Sequence, residues 1–372
     1  MKNKLLTIFK NSSSISCIIV LLLPNLSFAQ NHERATIPPP RKLTEQQAKV
    51  AAANYKKYCV LCHGEDREGH ANDHAPSLRS KSLMESGVAH QILRPMSYGR
   101  KGTAMGGYLD EVGGPMTLDE TWDLTYWLFE QSGVERVALS TKAVEGDIKQ
   151  GSQIYQKECS SCHGTKGEGI TAPALANQSA LAHNSDEFIR YAITHGRQDT
   201  PMQAFKDKLS SEDIDNLTAF IRSKADGEKQ QKTVLKELPK PENYVINPKG
   251  DDPEFKLTDE LYVLAEDLNE ALNANKKMML IDTRVPSVWQ NAHIKGSVPV
   301  PYYMDINEVI ADIPKDVQLV AYCSCPRAAA DYVINKLRDK GYTRTAVLYE
   351  GIFGWMNMGY PVTRGDIKNL EN

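Results

Sequence analysis

Two pentapeptides carry the plainest chemistry in the chain. Cys59-Val60-Leu61-Cys62-His63 and Cys159-Ser160-Ser161-Cys162-His163 share one spacing, and each is followed by glycine. A tyrosine stands four residues before the first cysteine in both, and the whole pattern recurs 100 positions later. Two thiols separated by two residues can each add across a vinyl group of one porphyrin. The following histidine then lies where it can ligate the iron, so the pattern reads as covalent c-type haem attachment. A structural zinc would need two more soft ligands in each module, and no cysteine is left to supply them. A redox dithiol needs no histidine and belongs in an α/β setting. The repetition outweighs either copy alone, because two accidents would have to agree.

The rest of the composition narrows the setting. The chain has 372 residues, 41% of them hydrophobic, with a net charge of −3 and seven cysteines. Six of the cysteines form three close pairs, which points to cofactor or redox chemistry before a disulfide framework. The near-neutral balance gives no basic footprint for nucleic acid. Lys2, Lys4 and Lys10 precede an apolar run from Ile15 to Leu23, and Ser27-Phe28-Ala29 offers a small-residue cleavage site. Residues 1–29 therefore read as a signal peptide cut near Ala29, giving a periplasmic protein with no stable membrane span after processing.

The elements that must position these groups fall into three sections. Amphipathic helices are expected at Leu118–Phe129 and Ser210–Arg222, each after a Ser/Thr-x-x-acid start signal. Pro239, Pro241, Pro248 and Pro253 punctuate a lysine- and glutamate-rich linker over residues 226–255, expected to be partly extended and partly wrapped on a neighbour. Beyond it, helix is expected over Leu261–Leu272 and Ala328–Lys340. Strands are expected from Met278 into Asp282, over Val317–Tyr322 and over Thr345–Tyr349, an α/β layer with a parallel sheet.

Both pentapeptide modules, residues 41–135 and 145–225, resemble class I cytochrome c domains, which are all-α. That resemblance implies two covalently attached haems c and a sixth iron ligand, usually methionine, from a later loop. Gly196-Arg197-Gln198-Asp199-Thr200-Pro201-Met202 follows the family's Gly-x-x-x-Thr-Pro-Met frame, which makes Met202 the ligand opposite His163. Gly99-Arg100-Lys101-Gly102-Thr103-Ala104-Met105 keeps the frame with alanine for proline, which makes Met105 the ligand opposite His63. Met96 and Met116 are near alternatives, and His70, His74, His90, His183 and His195 are histidine rivals. His/Met ligation favours ferrous haem and leaves no open position, so such modules carry electrons.

Residues 256–366 resemble the rhodanese domain family. The resemblance rests on Met279-Leu280-Ile281-Asp282-Thr283-Arg284, Trp289 to Ser297, a strand ending Tyr322-Cys323, and Gly351-Ile352-Phe353-Gly354-Trp355 before Pro361. It implies that Cys323 is a sulfur-accepting nucleophile in a loop whose backbone amides stabilise anions. The loop departs from the family's Cys-Arg-x-Gly-x-Arg-Ser. It reads Cys323-Ser324-Cys325-Pro326-Arg327-Ala328, with no glycine, a second thiol and a displaced arginine. Arg327 is the candidate anion partner and Cys325 the candidate resolving thiol. Asp282 and Arg284 are expected to brace the loop, and His293 to hold a turn.

Together these parts imply a di-haem electron carrier coupled to sulfane-sulfur or thiol chemistry at Cys323. The expected partners are a periplasmic cytochrome, oxidase or reductase and a small sulfur compound such as thiosulfate or a persulfide. The alternative is a pure electron-transfer cytochrome whose rhodanese fold is a non-catalytic docking module.

Overall fold

Side-chain caps set the helix starts in the first two-thirds of the chain. Thr44, Thr117, Asp147, Asn177, Ser185 and Ser210 each accept a hydrogen bond from a backbone N–H two or three residues on. Those at Thr44, Thr117 and Ser210 are full capping boxes, the last closed by Asp213. The computed structural model describes residues 41–69, 75–226, 231–233, 237–324, 327–364 and 367–369. The expected signal peptide, His70, His74 and Cys325 lie outside the described residues.

In the first module α1 (Glu45–Tyr58) runs into the single turn α2 (Val60–His63), followed by α3 (Lys81–Ser86), α4 (Ala89–Tyr98) and α5 (Leu118–Ser132). Helix α1 packs on α5 around Tyr55, Leu93, Met96, Met116, Leu124 and Trp127. The second module repeats the plan with α6 (Ile148–Glu158), the turn α7 (Ser160–His163), α8 (Gln178–His183), α9 (Asp186–His195) and α10 (Ser211–Arg222). Its core gathers Tyr155, Ile193, Phe205, Leu217 and Ile221 where α6 crosses α10. Among the described residues no helix is long and apolar enough to cross a membrane.

The last section is a five-stranded sheet. After β1 (Gln231–Thr233) come β2 (Tyr262–Val263), α11 (Ala265–Asn273), β3 (Met278–Asp282), α12 (Pro286–Asn291), β4 (Val298–Pro299) and α13 (Ile306–Val309). Then follow β5 (Gln318–Tyr322), α14 (Ala328–Asp339), β6 (Thr345–Leu348), α15 (Gly351–Asn357) and β7 (Ile367–Asn369). The order is β2-β6-β5-β3-β4 with every neighbour parallel, while β1 and β7 pair antiparallel by themselves. Successive residues alternate between two apolar layers. Met279, Ile281, Leu319, Ala321 and Val347 enter one, and Met278, Leu280, Val320, Tyr322 and Leu348 the other. Burial on both faces is why these strands read as unbroken apolar runs. Cys323 continues the first layer.

One expectation needs correction. The helix expected from Leu261 starts at Ala265, because Tyr262 and Val263 are drawn into the sheet edge by pairing with Val347 and Leu348. Part of the linker is wrapped on the sheet. Tyr244 and Val245 pack on the sheet core, and Ile246 exchanges both backbone hydrogen bonds with Met278 at 2.9 and 3.3 Å.

Candidate functional site

Each pentapeptide lies on one helical turn. The His63 and His163 N–H groups donate to the Cys59 and Cys159 carbonyls at 2.9 and 3.0 Å, so the paired cysteines, three residues apart, share a face. The repeated tyrosines close this turn: Tyr55 Oη donates to Gly64 O at 2.7 Å and Tyr155 Oη to Gly164 O at 2.8 Å. Tyr155→Phe keeps the ring but strips the buried Gly164 carbonyl of its donor. It is expected to cost the full-length protein about 1–2 kcal/mol, read from urea denaturation followed by circular dichroism.

The histidines are prepared as neutral ligands. His63 Nδ1 meets Pro76 O at 3.0 Å and His163 Nδ1 meets Pro173 O at 2.8 Å. A carbonyl only accepts, so Nδ1 carries the proton and Nε2 is left with its lone pair. Burial holds both imidazoles below their ordinary pKa. Burial also pushes the Cys59 thiol up to about 12 and Cys159 to about 11. Thioether formation would remove the thiol proton altogether. No group of three or more His, Cys, Asp or Glu side chains able to hold a metal ion occurs among the described residues.

The methionine loops match bond for bond. Arg100 N donates to Met105 O and Arg197 N to Met202 O, both at 2.8 Å. Thr103 Oγ1 donates to Arg100 O at 2.8 Å while accepting from Met105 N; Thr200 Oγ1 makes the same pair, at 2.7 Å to Arg197 O. Glycine is required at the loop start: Gly99 has φ +77° and Gly196 φ +65°, and a Cβ there would meet Met105 O at 2.7 Å and Met202 O at 2.5 Å. Met105 and Cys59 are half-buried at the rim of the first core, as Met202 and Cys159 are at the second. An apolar rim bearing two thiols, a neutral histidine and a thioether sulfur fits a c-type haem. Met96 and Met116 are buried inside the first core. His90 meets Trp122 edge-on, His183 Nε2 accepts from Arg94 Nε at 2.5 Å, and His195 packs on Tyr191 at 4.2 Å.

Sequence reasoning passed over the arginine that follows each loop glycine. Burial lowers the Arg100 pKa and takes Arg197 to about 10. Two desolvated cations at matching positions suit the carboxylates of a haem edge. Their shared Gly-Arg dipeptide is the signal that could have found them. Arg197 Nη1 also donates to Ser82 Oγ in the first module, at 3.1 Å. Ser82 Oγ donates to Gly196 O at 2.5 Å, and Asn177 Nδ2 to Lys101 O at 2.9 Å. Both methionine loops therefore border the contact between the modules.

At the sheet, Cys323 is 5% exposed at the end of β5, and its carbonyl accepts from Ile352 N at 2.9 Å. Arg284 forms a buried pair with Asp282, Nη2 to Oδ2 at 2.6 Å, and a second bond to Ala292 O at 2.7 Å. Burial opposes the Arg284 charge, but Asp282 overrides it and holds the guanidinium above its ordinary pKa. His293 is stacked on Trp289 at 4.1 Å with Nδ1 2.7 Å from Trp289 O. Arg327 lies between the Tyr349 and Tyr262 rings, 4.2 and 4.5 Å from their centroids, and donates to Tyr349 O at 3.1 Å. Its guanidinium is thus engaged at the β2–β6 edge.

The first module is fastened to the sheet. Leu61, inside the first pentapeptide, packs against the core layer that contains Cys323. Tyr302 Oη donates to Tyr58 O at 2.5 Å and lies 2.9 Å from Tyr108 Oη. No local pattern in the sequence announces these contacts.

A family model described as cytochrome C oxidase, cbb3-type, subunit III matches residues 146–221, and a rhodanese-like domain model matches residues 264–358. The chain is similar to cytochrome c6 of Synechococcus sp. at 31% identity over 86 residues, 22% of this chain and 75% of that protein. It is similar to the cbb3-type cytochrome c oxidase subunit CcoP of Helicobacter pylori at 28% identity over 174 residues, 45% of this chain and 54% of the subunit. It thus spans about half the length of that relative. A solved rhodanese-like domain from Anabaena sp. aligns at 21% identity with a TM-score of 0.26, over 28% of this chain and 78% of that domain.

Proposed function

Because this chain belongs to the cytochrome c family and carries a rhodanese-like domain, we propose that it is an exported, two-haem electron carrier fed by sulfur chemistry at Cys323. The observation that carries the reading is the seat of Leu61, between the two cysteines of the first pentapeptide, on the core layer of Cys323. A c-type haem, when bound, supplies a one-electron ferric–ferrous couple.

The chain's own groups have the following parts. Cys59, Cys62, Cys159 and Cys162 are the thioether anchors. His63 and His163 donate Nδ1–H to proline carbonyls and would offer Nε2 to a haem iron, for which Met105 and Met202 would supply the second protein ligand. Arg100 and Arg197 would supply positive charge to the carboxylates of a bound haem. At the sheet, the Cys323 thiolate joins hydrosulfide: one S–S bond forms to give a persulfide anion, one proton leaves to solvent, and two electrons leave toward the first module. Two one-electron centres match that count. Cys325, two residues on from Cys323 in the sequence, is the candidate thiol to resolve the persulfide as a disulfide. The second module delivers electrons to a periplasmic redox partner. Export rests on the signal-like residues 1–29.

One experiment tests this. In anaerobic stopped-flow, sulfide should reduce the haems of the wild-type protein, while Cys323→Ser should be reduced by dithionite but not by sulfide. Equal reduction of both proteins removes Cys323 from the path. The second reading, a non-catalytic docking module, is favoured by the engagement of Arg327 with Tyr262 and Tyr349. It expects that equal outcome.

A further inference from the structure

Three consecutive residues just after Met105 are each held by the sheet domain. Gly106 is buried against α12: a Cβ there would lie 3.1 Å from Val285 Cγ2 and 3.3 Å from Val288 Cγ1. Gly107 is gripped at both its polar atoms by one hydroxyl, since Ser287 Oγ accepts from Gly107 N at 3.2 Å and donates to Gly107 O at 2.8 Å. Tyr108 Oη meets Tyr302 Oη at 2.9 Å. Val285 itself is counted in the first module's core rather than the sheet's. The segment supplying the Gly106 and Gly107 contacts, residues 283–288, begins at the Asp282–Arg284 pair and at Thr283, whose N–H and hydroxyl both donate to Tyr322 O beside Cys323.

We infer that Ser287 is a positioning residue for the first iron: through Gly107 it holds the Met105 loop in its ligating conformation. The inference rests on the reading that the first module carries a haem ligated by Met105. Loss of that ligand requires residues 99–107 to move, and the Ser287 bonds must break when they do. A competing small ligand binds iron only in the loop-open form, so its apparent affinity reports how strongly the loop is held closed. The second module's loop lacks this clamp; it is tied instead at its other end, by Ser82 to Gly196.

The test is an imidazole titration of the oxidised full-length protein, followed in the Soret and in the far-red sulfur-to-iron absorption, for wild type, Ser287→Ala and Gly106→Ala. Ser287→Ala deletes both clamp bonds, and Gly106→Ala presses a methyl group against Val285 and Val288. In Ser287→Ala one haem should bind imidazole about tenfold more tightly, the change expected when two neutral hydrogen bonds closing one loop are lost, and Gly106→Ala should shift the same haem in the same direction. The other haem should titrate as in wild type. Two haems with imidazole affinities unchanged in both variants overturn the inference alone. A wild-type mass carrying a single haem, or no far-red absorption from the first module, removes the reading beneath it and the inference together. A clamp that is merely structural would lower the unfolding midpoint and leave the titration unmoved, which also overturns it.

Discussion

Replacing Cys59 and Cys62 together by alanine is expected to give a protein that retains one covalent haem and delivers electrons to it from sulfide far more slowly. The remaining cofactor, on Cys159 and Cys162, should still respond to dithionite. On the proposed reading the donor site at Cys323 and the first module are fastened together in the wild-type chain, an arrangement equivalent to a roughly millimolar local concentration. Without the first centre, delivery falls back on encounters between molecules, roughly 10²- to 10³-fold slower at micromolar protein. Mass spectrometry of the denatured protein checks the haem count, and stopped-flow absorbance checks the rate. Unaltered reduction of the second haem would mean that electrons enter there directly.

The other large effect belongs to Asp282. Its carboxylate is 0% exposed, and the partner Arg284 is 8% exposed. Asp282→Asn leaves a guanidinium charge buried without its counter-ion and should destabilise the sheet domain by about 3–5 kcal/mol. Urea denaturation watched by the fluorescence of Trp289 and Trp355, both buried in this domain, reads the loss. Asp282→Leu combined with Arg284→Met should recover much of that stability, because two apolar side chains of similar bulk need no counter-charge. If the single substitution proves as stable as wild type, the pair is not what braces the segment under Cys323.

Much of this was legible in the chain itself. The pentapeptides stand out because thioether chemistry would require those residue types at that fixed spacing. The tyrosine before each pair keeps its distance because its hydroxyl must reach the glycine carbonyl nine residues on. The methionine loops repeat as sequence because their hydrogen bonds are local, spanning two to five residues. The long strands declare themselves by apolar runs. What escaped has no local period. The two-residue strands β2 and β4 are too short to show alternation, and Tyr262-Val263 reads as the opening of the helix that follows. Ile246 joins β3 from across thirty-two positions. Ser287 and Gly107, or Tyr302 and Tyr58, meet only because the fold brings distant segments together. Arg327 was read from family position, yet two tyrosines from β2 and the end of β6 decide where its charge lies.

The seat of β2 on β6 has a practical consequence for dissecting the protein. A fragment starting at residue 264, where the family match begins, would lack Tyr262 and Val263 and would also lose the Ile246 bridge to Met278. The unpaired amide row of β6, flanked by Val347 and Leu348, would then face solvent as an uncovered, sticky border that invites self-association between copies. Starting the excised piece before Tyr244 keeps that border sheathed by its own chain.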